Sequence, residues 1–77
     1  MEFEYQRKQG WKLNYRVECF VMRNAQTGQL SYRAKVLRDD GNYAGPSHGR
    51  LTSTDTAAAE IEAKQLIVAE IENSASD

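Results

Sequence analysis

Two stretches of the chain alternate between apolar and polar residues with a period of two. In residues 11–23 (WKLNYRVECFVMR) the odd positions are apolar or aromatic as far as Val21, and residues 30–38 (LSYRAKVLR) repeat the pattern. Such alternation is typical of a β-strand with one buried face. The predicted inward residues are Trp11, Leu13, Tyr15, Val17, Cys19 and Val21 in the first strand and Leu30, Tyr32, Ala34 and Val36 in the second.

The two strands are predicted to form a hairpin whose turn lies at Gly28. If Arg23 pairs with Leu30, odd positions of the first strand oppose even positions of the second, and both inward sets share one face. Cys19 then lies in the core, opposite Ala34.

The next stretch predicts a turn at 39–42 (DDGN) and a weak third strand. Pro46 cannot donate a hydrogen bond to a sheet, and two glycines, Gly45 and Gly49, weaken the run that follows the turn. We therefore expect a turn at Gly45-Pro46 and a short edge strand at 49–52.

The C-terminal part predicts a helix at 54–72, capped by Ser53 or Thr54 with Asp55 in the first turn. Five alanines favour it. We expect 73–77 to fray and 1–9 either to extend the first strand or to lie loose. The predicted fold is α+β in a single domain: a three-stranded antiparallel meander with one C-terminal helix packed on one face, in the order β-β-β-α.

Composition is that of a small soluble domain of 77 residues. The net charge of −1 hides an asymmetry, +5 in residues 1–38 and −6 in residues 39–77. The two halves either attract each other within the fold or steer an anionic partner to one end. The lone Cys19 excludes an internal disulfide, and no apolar leader or membrane span is apparent. A cytoplasmic protein without a membrane partner is expected.

Candidate catalytic and metal-binding groups are few. His48 is the only imidazole, Cys19 is predicted to point into the core, and Asp39 and Asp40 are turn carboxylates that solvent can reach. The segment 45–49 (GPSHG) lacks the lysine and converging amides of a phosphate-binding loop. We expect no catalytic site, no metal and no cofactor.

The outward positions of the predicted hairpin combine cations with two apolar side chains. Three interpretations stay open: a solvated face with a bulge that turns Phe20 inward, a surface for a protein partner, or a platform for single-stranded nucleic acid. The residues concerned are Lys12, Arg16, Phe20, Met22, Arg33 and Lys35.

The predicted helix has two apolar stripes, and a helix that packs on one sheet needs only one. The stripes are Ala59, Ala63, Leu66 and Ile67, which we assign to the core, and Ala57, Ile61, Val68 and Ile71. The second stripe predicts a homodimer whose contact is formed by Ile61, Val68 and Ile71.

The end of the sheet and the start of the helix resemble a family of small bacterial β-β-β-α proteins of unknown function, over about residues 13–70. Those proteins share a pattern like F-x-[ST]-x-x-x-A before an alanine-rich helix. The matching residues are Leu51, Ser53, Ala57, Ala59, Ala63 and Leu66. The resemblance implies the fold and no activity.

A more distant resemblance is to the double-stranded-RNA-binding domain, which also has three strands before a helix. The segment 45–49 falls where that family has a loop with a histidine. Asp55 lies at the helix start, where that family needs lysines to bind phosphates. We therefore expect no binding of double-stranded RNA.

These patterns together predict a small non-catalytic interaction or accessory module that forms a homodimer or binds a protein partner. The alternative is a nucleic-acid binder that uses the basic outer face of the sheet.

Overall fold

The computed structural model of the chain describes residues 1–8, 10, 12–39, 41 and 43–73, without the side chains of residues 43 and 44. Four strands and one helix follow one another: β1 (Glu2–Gln6), β2 (Asn14–Arg23), β3 (Leu30–Arg38), β4 (Tyr43–Arg50) and α1 (Thr56–Glu72). The strands form one antiparallel sheet in the order β1-β2-β3-β4. The α+β class and the C-terminal helix are confirmed, whereas the prediction of three strands is wrong.

The additional strand is β1, at the N-terminus. It pairs with β2 so that Phe3 lies opposite Val17 and Tyr5 opposite Tyr15, which turns both aromatic rings toward the helix. Five alternating residues are too few to identify a strand from pattern alone. Residues 2–6 therefore neither extend β2 nor lie loose.

The predicted β2–β3 register is confirmed. Cys19 lies opposite Ala34, and Arg23 lies opposite Leu30. Because the apolar set of each strand must face the core, a shift of one residue would turn the set of one strand to solvent.

The start of β2 is three residues later than predicted. Lys12 has φ +55°, a left-handed conformation that a strand does not allow. Leu13 precedes the strand, packs partly buried against the core and accepts a hydrogen bond of 2.9 Å from the amide of Arg7. Trp11 and Asp40 lie outside the described residues, as do residues 74–77 of the predicted frayed tail.

The prediction of a turn at Gly45-Pro46 is wrong, because β4 includes both residues, and the edge strand predicted at 49–52 instead runs from Tyr43 to Arg50. The amide of Leu51 donates to the carbonyl of Leu30 at 2.9 Å. In an antiparallel ladder every second residue bonds to the neighbouring strand, so in β4 the odd-numbered residues bond to β3. Pro46 is at a position whose amide would point away from β3, so no ladder bond is lost.

Gly49 has a packing role in β4. A side chain there would bring its Cβ to 3.1 Å from the Tyr32 ring. The ring therefore lies across the strand, and its hydroxyl is 3.3 Å from that of buried Ser47, which hydrogen-bonds to Glu70 of the helix. The glycine admits the contact that joins β4 to α1.

The helix begins at Thr56, and its N-cap is Asp55, not Ser53 or Thr54. The Asp55 carboxylate accepts a hydrogen bond of 3.1 Å from the amide of Ala58, which satisfies one of the free donors of the first turn.

One stripe of the helix covers the inner face of the sheet. Its buried members are Ala59, Ala63, Ile67 and Ile71. They meet the inward residues of the strands in a single core, which also contains Tyr15, Val17, Cys19, Leu30, Tyr32, Ala34, Val36 and Leu51.

The C-terminal end of the helix is held by β1 and the residues after it. Tyr5 donates a hydrogen bond to the Glu72 carboxylate, which lowers the pKa of Glu72 and raises that of Tyr5. The amide of Lys8 donates to the same carboxylate at 2.9 Å, and buried Arg7 donates to the Glu72 carbonyl at 3.0 Å. A cation at this carbonyl complements the helix dipole.

Glu62 fixes the connection between β4 and the helix. Its carboxylate accepts hydrogen bonds from the amides of Thr52 and Ser53 at 2.9 Å and 3.0 Å, and from both hydroxyls. These donors lower the pKa of Glu62 from 4.5 to about 2.

The lowered pKa of Glu62 predicts a pH-dependent contribution to stability. A carboxyl whose pKa is lower in the folded state stabilises that state above its unfolded pKa, and the contribution disappears as pH falls toward the folded pKa. We expect Glu62→Gln to lower the thermal midpoint at neutral pH, and the difference from wild type to shrink as pH falls from 4.5 toward about 2. Glu60→Gln removes a charge on the same helix without removing a described hydrogen bond. The thermal midpoint of this control should therefore not show the same pH-dependent difference from wild type. A Glu62→Gln deficit independent of pH would contradict the assignment.

Two isoleucines of the helix give a matched test of the packing. Ile67 is fully buried, whereas Ile61 is 62 % exposed. Ile67→Ala should cost about 2–5 kcal/mol in the free energy of unfolding measured with urea, because it leaves a cavity. Ile61→Ala should stay within about 0.5 kcal/mol of wild type. Equal losses of unfolding free energy for the two variants would show that the helix packs on the sheet through another face.

Candidate interaction surface

The outer face of the sheet carries an exposed cluster at the end nearest the β2–β3 turn. The register aligns Phe20, Arg33 and His48 in one row across β2, β3 and β4, and Met22, Ser31 and Arg50 in the next row. We call these six residues the Phe20 patch. Side chains that share a row are close enough to contact one ligand together.

The patch is apolar at one side and cationic at the other. Phe20 is 64 % exposed and Met22 is 44 % exposed, and Arg33, His48 and Arg50 are exposed as well. No described residue forms an ion pair with Arg33 or Arg50. The two rows contain no carboxylate, so the patch presents an aromatic ring, a thioether and unpaired guanidinium groups to solvent.

The exposure of Phe20 follows from its position in β2. Its neighbours Cys19 and Val21 belong to the inward set, so the period of two places Phe20 outside. Phe20 pairs regularly with Arg33, and the interpretation in which a bulge turns Phe20 inward is therefore wrong. The outer face has no layer packed on it within the described residues, so the Phe20 ring stays in contact with solvent.

Of the residues predicted for this face, Phe20, Met22 and Arg33 belong to the patch, Lys35 lies in the adjacent row of the same face, and Arg16 and Lys12 lie farther away. Arg16 lies at the other end, with its guanidinium 3.9 Å from the Glu2 carboxylate. Lys35 lies opposite Glu18.

Lys12 is the third residue that does not belong to the patch. It lies in the connection between β1 and β2, so its predicted place on the sheet face is wrong.

Sequence reasoning missed His48 and Arg50. They belong to β4, which the glycines and Pro46 concealed. The signal was available, because continuing the inward–outward alternation from Leu51 back through β4 puts both residues on the outer face.

The other end of the outer face is of mixed charge. An open pocket of about 530 Å³ lies there. Its lining includes cations and carboxylates, so it lacks the single sign of the Phe20 patch. The residues are Glu4, Asn14, Tyr15, Arg16, Leu37, Arg38, Asp39 and Gly41.

The predicted dimer face of the helix is only partly available. Ile71 is 5 % exposed and belongs to the core, whereas Leu66, assigned to the core, is 39 % exposed. The helix is rotated because Ala59, Ala63, Ile67 and Ile71 follow an i, i+4 line that faces the sheet. Ile61 is exposed and Val68 is half-buried, which leaves two of the three predicted contact residues at the surface.

The groups considered for catalysis lie apart. His48 is opposite Arg33 in the patch, Cys19 is buried, and Asp39 follows β3 and pairs with Asn14. Among the described residues no three His, Cys, Asp or Glu side chains are grouped to hold a metal. The 45–49 segment is part of a strand, so its amides do not converge on an anion.

Comparisons with protein-family models, with curated proteins and with solved structures give no match for this chain. In the part of the chain that the structure describes, no helix is both long enough and apolar enough to cross a membrane. The resemblances suggested by the sequence stay predictions.

Proposed function

We propose that this chain is a small non-catalytic interaction module whose contact surface is the Phe20 patch. The main observation behind this proposal is the exposed Phe20 ring, which has Met22 and Arg33 as neighbours on the outer face. We place the module in the cytoplasm, which agrees with an unpaired, buried Cys19.

The composition of the patch supports a protein partner. Aromatic, Met and Arg side chains are enriched at the centres of protein interfaces, and a few of them supply most of the binding energy. Burying an exposed Phe ring contributes about 1.5–3 kcal/mol. The partner surface that fits best has an apolar pocket for Phe20 and carboxylates that reach Arg33 and Arg50.

A site-specific cross-link tests this role. A photoreactive phenylalanine analogue replaces Phe20 in one sample and Ile61 in a matched control, and each is irradiated in cells of the source organism. We expect one cross-linked protein at position 20 that is absent at position 61. Phe20→Ser should weaken the affinity for that purified partner by about 30-fold, because we expect Phe20 to be a binding hot spot. The same product at both positions, or unchanged affinity, would contradict the proposal.

Single-stranded nucleic acid is the second candidate, favoured by the absence of carboxylates from both rows of the patch. A base can stack on Phe20 while phosphates contact Arg33 and Arg50. Stacking on one aromatic ring contributes about 1–3 kcal/mol.

Fluorescence anisotropy with labelled oligo-dT and oligo-U distinguishes this ligand from a protein. Two phosphate contacts predict that log K falls against log salt with a slope of about −1.4, and Arg33→Ala should reduce the slope by about 0.7. No binding at low salt, or binding that Phe20→Ser leaves unchanged, would exclude nucleic acid as the ligand of the patch.

A further inference from the structure

The two edges of the sheet carry opposite charges on the outer face. On β1 the outward side chains include Glu2 and Glu4, and on β4 they include His48 and Arg50. Both strands have a second edge to which no described strand is bonded. The molecule therefore has one acidic and one basic sheet edge.

The backbone groups that point away from the sheet belong to the same residues. On β1, Met1 and Cys19 exchange two hydrogen bonds of 2.8 and 2.9 Å. The alternation of an antiparallel ladder then directs the amides and carbonyls of Glu2, Glu4 and Gln6 outward.

On β4 the bond from Leu51 to Leu30 fixes the alternation in the same way. The outward backbone groups are those of Pro46, His48 and Arg50. Each edge thus offers three alternate residues whose backbone groups point away from the sheet and whose side chains lie on its outer face.

We propose that a second copy of this chain adds its β1 to the free edge of β4, antiparallel, and continues the sheet. In the register that aligns both sets of outward groups, Glu2 pairs with Arg50, Glu4 with His48 and Gln6 with Pro46. Three pairs of this kind would exchange six backbone hydrogen bonds in a regular ladder. Five of them form here, because Pro46 has no N–H to donate. Each acidic side chain then lies beside a basic or imidazole side chain of the other copy.

The charges and Pro46 disfavour the two symmetric alternatives. A β1–β1 pair aligned in this way places Glu4 opposite Glu4 of the other copy, and like charges directly opposite destabilise a strand pair. A β4–β4 pair places Arg50 opposite Pro46, which offers no carboxylate, and the N–H donor of Pro46 is then missing from both copies. Only unlike edges attract, so the contact is head-to-tail, and a pair of copies keeps one free edge of each kind.

The helices do not obstruct this contact. Consecutive copies repeat every four strands, which separates their helices by roughly 19 Å, more than the helix diameter of about 10–12 Å. The Glu2–Arg16 pair of 3.9 Å is exposed on both sides, so it competes only weakly with Arg50 for Glu2. Phe20 and Met22 lie on β2 and stay uncovered. Of the Phe20 patch the edge contact uses only His48 and Arg50, so it does not depend on the role proposed for Phe20.

Sedimentation velocity of the full chain from micromolar to millimolar concentration tests the proposal. At low salt we expect concentration-dependent association that weakens as salt rises. Glu4→Lys and Arg50→Glu should each abolish it. An equimolar mixture of the two variants should restore the pairing of two copies, because the Arg50→Glu copy keeps its acidic β1 and the Glu4→Lys copy keeps its basic β4. Phe20→Ser should leave it unchanged, and circular dichroism verifies that each variant is folded.

Three outcomes would overturn the edge contact. The first is a wild-type monomer at millimolar concentration in low salt. The second is association that both charge reversals leave intact. The third is association abolished by Ile61→Ser and not by Glu4→Lys, which would favour a dimer through the helix face. Failure in any of these ways leaves the cross-link at position 20 as a separate test of the Phe20 patch.

Discussion

The structure depends on the packing of one helix stripe against the inner face of the sheet. A four-stranded sheet of this size needs an apolar cover on one face to be stable, and α1 supplies it through Ala59, Ala63, Ile67 and Ile71. The two alanines let the helix approach β2 and β3 closely, and Ile67 fills the centre. The rotation that this stripe requires also turns Glu62 toward the β4–α1 connection and Glu70 toward Ser47.

This arrangement determines which surfaces are available for binding. The inner face is occupied by the helix, so partners can use the outer face, the sheet edges or the outside of the helix. The outer face is divided, with Glu2, Glu4 and Arg16 at one end and the carboxylate-free Phe20 patch at the other. The charge asymmetry of the chain acts between the residues after β1 and the end of the helix, where Arg7 and Lys8 lie beside Glu72.

The sequence was sufficient where a pattern was long and had one interpretation. Ten residues of alternation fixed the face of Cys19. They fixed the β2–β3 register together with the turn, because a shift of one residue would expose the apolar set of one strand. It was insufficient for β1, which is too short, and for β4, where Gly45 and Pro46 indicated a turn and Gly49 instead admits the Tyr32 ring within a strand. The helix rotation was missed because two stripes had similar hydrophobicity, and only the position of the sheet selects Ile71 over Leu66. Phe20, Met22 and Arg33 of the Phe20 patch were predicted. His48 and Arg50 were not, because the edge strand was predicted to begin at residue 49 and β4 begins at Tyr43.

The rate of Cys19 labelling by a thiol reagent tests the helix–sheet packing most directly. Cys19 is 1 % exposed beneath the helix stripe, and burial raises the pKa of its thiol, which further lowers the fraction of reactive thiolate. In native buffer we expect labelling to be limited by opening of the structure, and to accelerate in urea in proportion to the unfolded fraction. Labelling in native buffer at the rate of a free, exposed thiol would show that the inner face is not closed by α1 in this register.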